Sequence, residues 1–208
     1  MKKINLFSSP LWAFDLLEHN PHINSMVVLD GLQVSKQLKE EQIKAGIPRI
    51  NTKIFFEHEG YGSEMLRNCT EQAIAEIGKE RSWPGYTLQM RARYNALYPN
   101  ECDTPHHHLG LDLVGVYWVT VPENSGDLLL IDPRGQVPWV WEEPLVTPDN
   151  QWRTGRAYFR FTPKAGTLVL FPSYMFHSVE TNLSNETRVS IVMDMRVRFD
   201  NVDYTNGD

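Results

Sequence analysis

From Tyr86 onward the chain alternates. Leu88, Met90, Ala92 and Tyr94 are apolar, and Gln89, Arg91, Arg93 and Asn95 between them are polar. Successive side chains of a strand leave opposite faces, so this pattern predicts a strand with one buried face and one polar face able to line a cavity. Segments 113–121, 127–132, 157–161, 167–171 and 188–196 read as further strands, separated by clusters of Pro, Gly, Asn and Ser. Ahead of Arg81 the period is helical. Residues 33–45 carry apolar points at Val34, Leu38 and Ile43 and are stopped by Gly46 and Pro48. Residues 64–77 place Leu66, Cys69, Ala73, Ile74 and Ile77 on one face, with Ser63 positioned as a cap. Many short strands in series predict a mainly β fold, an antiparallel sandwich or barrel with its helices packed outside. The 208 residues fit one domain, in which a helical part (1–80) packs on a β core (81–200).

Composition narrows the partners. With 41% hydrophobic and 22% charged residues the chain has the profile of an ordinary globular protein. A formal charge of −6 argues against nucleic acid as the main partner, because neutralising phosphates needs clustered Lys and Arg. Cys69 and Cys102 lack the paired spacing of a disulfide framework or a zinc site and are expected as reduced thiols in a cytoplasm. The first residues form no signal peptide, and no stretch approaches the roughly 20 apolar residues that span a bilayer.

Ligand-type residues gather in two places. In Pro105-His106-His107-His108 the outer histidines are two apart, so on an extended strand both imidazoles leave one face and can meet one cation while His107 points away. His177 follows the apolar run 166–172 and would bring a third nitrogen from a distant strand, as in a facial metal site with open positions. A histidine run can equally be a solvated loop. Eleven residues after His177, Arg188 and Ser190 share a strand face; a fork-shaped, always charged donor beside a hydroxyl is suited to gripping a carboxylate.

With these residues in view, the chain resembles the 2-oxoglutarate- and Fe(II)-dependent dioxygenases. It is similar in particular to a branch found in phages and bacteria. That branch's pattern runs His-x-His, Ser-Gly-Val-Tyr-Tyr, Pro-x-x-Ser-Gly, Asp-Pro-Arg and Pro-x-x-Gly-x-Leu-x-x-Phe-Pro-Ser before a distal His. Here these read His106-His107-His108, Val114-Gly115-Val116-Tyr117-Trp118, Pro122-Glu123-Asn124-Ser125-Gly126, Asp132-Pro133-Arg134 and Pro163 to Ser173 ahead of His177. The resemblance spans about residues 94–195 and returns at Leu6 to Trp12; between about 19 and 79 little matches.

The resemblance implies a double-stranded β-helix, a jelly roll of cupin-like architecture. It also implies Fe(II) held by His106, His108 and His177, and 2-oxoglutarate anchored by Arg188 with Ser190. Dioxygen would drive oxidative decarboxylation to succinate, coupled to oxidation, typically hydroxylation, of a small molecule or a protein side chain. Tyr94 and Asn95 are candidates for further cosubstrate contacts. His108 stands where the classical pattern has Asp or Glu, and Asp112 is an alternative carboxylate ligand. Arg134 and Trp139, the latter in the tryptophan-rich segment 137–152, are candidate substrate contacts, and that segment is a candidate lid. Three other readings stay open: a cupin-type oxidase without a keto acid, a non-catalytic binding or virion-associated relative, and a halogenase, whose iron lacks a carboxylate ligand. Base rates alone suggest a homodimer.

Overall fold

The computed structural model describes residues 9–45, 55–133, 158–200 and 202. A short strand β1 (Trp12–Asp15) leads into the single turn α1 (Leu16–His19) and the long helix α2 (Ile23–Ala45). A 3-10 turn (Phe55–Glu57) precedes α3 (Tyr61–Glu80). Eight strands follow: β2 (Tyr86–Leu97), β3 (Asp103–His106), β4 (Leu113–Thr120), β5 (Leu128–Ile131), β6 (Tyr158–Phe161), β7 (Thr167–Pro172), β8 (His177–Val179) and β9 (Arg188–Phe199).

They form two antiparallel sheets, one of five strands in the order β1-β7-β4-β9-β2 and one of four in the order β3-β8-β5-β6. From β2 to β5 and again from β6 to β9 the chain crosses between the sheets at every connection, which is the winding of a double-stranded β-helix. The expected mainly β class, with helices outside it, is the class observed.

Two apolar clusters lie on opposite faces of the five-stranded sheet. Val189, Ile191, Met193, Met195 and Val197 of β9 pack with Ala92 of β2 against Leu66, Ala73, Ile74 and Ile77 of α3 and Ile23, Val27 and Val34 of α2. Val114, Val116, Trp118, Val169, Phe171 and Val192 point the other way, between the sheets, onto Leu128 and Leu130 of β5. The parity of each strand therefore decides what faces the barrel interior. On β9 that row is Arg188, Ser190, Val192, Asp194; on β2 it is Asn95, Arg93, Arg91, Gln89, the polar row the alternation foretold.

Three local expectations are corrected. Helix α2 starts ten residues earlier than position 33, because Ile23, Val27 and Val34 form its buried stripe, all at 0% exposure. Ser63 does not cap α3: Gly60 is the N-cap, and Asp30 of α2 accepts the Ser63 N–H at 2.8 Å, placing a buried carboxylate on the positive end of the helix. Gly62 lets the two helices approach this closely, since a Cβ there would lie 2.4 Å from the Met26 carbonyl carbon. The N-terminal part is also not purely helical, because β1 forms an edge of the large sheet against β7.

Candidate metal and cosubstrate site

His106 ends β3, and His108 sits two residues past that strand, held in place by its own N–H donating to the Ser173 carbonyl at 3.1 Å. Ser173 also hydrogen-bonds the carbonyl of Leu111 through its hydroxyl and that of Asp112 through its N–H. The Phe-Pro-Ser segment thus clamps the turn that follows the histidines. His177 opens β8, the neighbour of β3, and is the direct cross-strand partner of His106. The strand that is distant along the chain is thus hydrogen-bonded to the first.

One ring nitrogen from each of His106, His108 and His177 lies within 4.8 Å of the others. Ring centroids stand 4.4 Å apart for His106 and His177, 5.2 Å for His108 and His177, and 5.3 Å for His106 and His108. The Nδ1 atoms contact the Thr104 carbonyl (2.7 Å), the Met175 carbonyl (3.0 Å) and the Asp194 carboxylate (2.6 Å), for His106, His177 and His108 in turn. A carbonyl or an ionised carboxylate can only accept, so each Nδ1 carries a proton, and in the neutral ring that tautomer leaves the lone pair on Nε2. Three such nitrogens on one face could hold a divalent cation and leave positions open. Burial, reinforced by the neighbouring His106, pushes the His177 pKa down to about 4, against a smaller upward pull from the Met175 hydrogen bond. At neutral pH that ring is uncharged.

His107 leaves by the other side and lies against Phe176, ring centroids 4.4 Å apart. Its replacement by alanine is expected to leave metal affinity within about twofold of the parent by equilibrium dialysis, a surface-scale perturbation. A large loss would show that the histidine run faces the other way.

Arg188 is 2% exposed and protonated, although burial lowers its pKa to about 10. Its Nη1 donates to the carbonyls of Gly126 (3.0 Å) and Ser125 (3.4 Å). Gly126 adopts φ +90°, and a Cβ there would stand 2.4 Å from the Glu180 carbonyl oxygen, so only glycine can form this backbone cradle. The guanidinium carbon lies 6.0 Å from the Trp118 ring centroid. Among the described residues Arg188 Nε, Trp118 Nε1 and Ser125 Oγ are buried without a hydrogen-bond partner. Three such donors, all on Arg188 or on residues touching it, suit an acceptor-rich anion such as a carboxylate.

Asn95, Ser190 and Trp118 are direct cross-strand neighbours on β2, β9 and β4. Asn95 also donates to Asp103 at 3.2 Å. Tyr94 is not brought to this side. One residue off Asn95, it packs on the helix-facing core, its ring against Gly31 of α2. Asp112 is not in the histidine cluster: its carboxylate accepts the Val197 N–H at 2.8 Å and faces Arg198 at 3.7 Å. Arg134, Trp139 and the segment 137–152 lie outside the described residues. Two residues absent from the sequence-based site join it. Trp118 could have been found from the pairing register with Ser190, and Asp194 from sharing the parity of Arg188 and Ser190.

A sequence model of the 2OG-Fe(II) oxygenase family matches residues 92–194. No curated protein matches the sequence. A Pseudomonas putida prolyl-4-hydroxylase structure superimposes with a TM-score of 0.54 at 13% identity, over 91% of this chain and 88% of that one. The non-haem α-ketoglutarate-dependent epimerase SnoN from nogalamycin biosynthesis gives 0.55 at 13% identity, over 96% and 85%. An oxidoreductase of the 2OG-Fe(II) oxygenase family from Burkholderia pseudomallei aligns over 65% of this chain, at 16% identity and a TM-score of 0.46, so that the match spans 56% of that protein. At these identities the first two superpositions speak for the fold alone.

Proposed function

We propose that this chain, a member of the 2-oxoglutarate- and Fe(II)-dependent oxygenases, is an oxidoreductase that uses Fe(II) and 2-oxoglutarate to hydroxylate a carbon of a small molecule or a protein side chain. His106, His108 and His177 hold the iron through Nε2, and Asp112, whose carboxylate is tied to the end of β9, is outside the ligand set. Bound iron supplies the coupling between oxidative decarboxylation of the keto acid by dioxygen and oxidation of the substrate.

The chain's own residues bind and place. Arg188 grips the far carboxylate of 2-oxoglutarate, with Ser190 beside it and Trp118 Nε1 and Ser125 Oγ as further donors. The observation that carries this reading is the set of three buried donors without a protein partner among the described residues around a buried guanidinium. A cupin-type oxidase working without a keto acid has no use for that set. Asn95 lines the same row and orients Asp103. The apolar residues between the sheets keep water from the reacting centre.

Among the described residues no helix is long and apolar enough to cross a membrane, and Cys69 and Cys102 are free thiols, which favours a reducing compartment such as the cytoplasm. The deciding experiment is an anaerobic titration of the metal-free protein with Fe(II) and then 2-oxoglutarate. A visible metal-to-ligand charge-transfer band is the expected result. Iron binding without that band would overturn the cosubstrate assignment and return the cupin-type reading.

A further inference from the structure

His108 differs from its two fellow histidines in one respect: its Nδ1 partner is an anion. His106 and His177 donate to backbone carbonyls, which fix a tautomer without adding charge. His108 donates to the Asp194 carboxylate at 2.6 Å, a distance typical of charge-assisted bonds, and the two side chains are only 9% and 5% exposed. The bond also joins the two sheets, since His108 follows β3 of the small sheet and Asp194 sits in β9 of the large one. The same position is singular in sequence, because 108 is where the classical His-x-Asp pattern places a carboxylate directly on the iron.

On the assignment of iron to the three histidines, we propose that Asp194 is a positioning residue for the metal centre. It locks His108 with its proton on Nδ1 and its Nε2 lone pair toward the cation. It also supplies, one hydrogen bond removed, the negative charge that a ligating carboxylate at 108 would supply directly. Three neutral imidazoles alone would leave the full dication charge inside a barrel that already buries the Arg188 guanidinium; Asp194 offsets part of it. A carboxylate behind a ligating histidine raises the basicity of that ligand and fixes its ring.

A set of variants separates charge, hydrogen bond and fold. Asp194→Asn keeps shape and an acceptor for Nδ1–H but removes the charge. The expected result is a Co(II) affinity, measured with the metal alone, lowered by roughly 10–100-fold, with a shifted Co(II) d–d spectrum and an unchanged circular dichroism spectrum. His108→Asp alone sets two buried carboxylates against each other and binds Co(II) weakly. His108→Asp combined with Asp194→Asn rebuilds the His-x-Asp pattern without the clash and recovers binding relative to His108→Asp. A purely structural Asp194 would not give this rescue. Co(II) affinity in Asp194→Asn within twofold of the parent, or a double variant no better than His108→Asp, overturns the proposal while leaving the three-histidine site standing. A parent protein that binds no Co(II) overturns the histidine assignment, and the proposal with it.

Discussion

Alanine in place of His177 is expected to abolish Fe(II) binding at micromolar metal. This ring is the most buried of the three, at 4% exposure, and its burial keeps it neutral and ready to ligate far below neutral pH. It is also the only member of the histidine cluster contributed by β8; the other two come from one short stretch around the end of β3. Losing an outer partner of a metal ligand costs about 10–100-fold in affinity, and losing the ligand itself should exceed that. Equilibrium dialysis with metal analysis checks the result. Parent-like iron binding in this variant would remove His177 from the centre.

The second large effect is expected at Arg188. With alanine there, iron binding should persist, because the guanidinium points at the Ser125 and Gly126 carbonyls and the Trp118 ring rather than at the histidines. The 2-oxoglutarate requirement should rise by about 100-fold or more, since each charge-assisted hydrogen bond is worth roughly 1.5–3 kcal/mol and about 1.4 kcal/mol is tenfold in affinity. Lysine should rescue only in part, because a point charge cannot reproduce the fork. Keto acid turnover at parental concentrations in the alanine variant would move the cosubstrate elsewhere.

Much of this was legible in the sequence, and the misses have causes. The long strands announced themselves by period two, and the inward row of β2 followed from it. The short strands Asp103–His106 and His177–Val179 did not, because Asp-Thr-Pro-His and His-Ser-Val offer no apolar row to alternate, and these two carry two of the three clustered histidines. The pair Tyr94 and Asn95 shows what alternation forbids. Adjacent strand residues leave opposite faces, so only one of them could face the barrel interior, and the large aromatic took the core. Asp194 was readable by the same rule from Arg188 and Ser190, but a lone acid between two methionines draws no attention until its partner across the barrel is seen. The cap of α3 depends on a contact between residues 30 and 63, and no local pattern contains it.

Strand β9 also ties catalysis to folding. Its inward residues Arg188, Ser190 and Asp194 alternate with Val189, Ile191, Met193, Met195 and Val197, which fill the core under the helices. A slip of this strand by a single residue would throw the Arg188 guanidinium and the partner of His108 out of the interior together. It would also strip five apolar side chains of their packing, at a cost on the order of 10 kcal/mol. Half-assembled sites are thereby suppressed. The polar geometry inherits its accuracy from a layer of greasy side chains that never meets the substrate, and large-to-small changes at Ile191 or Met193 should loosen the active centre from behind.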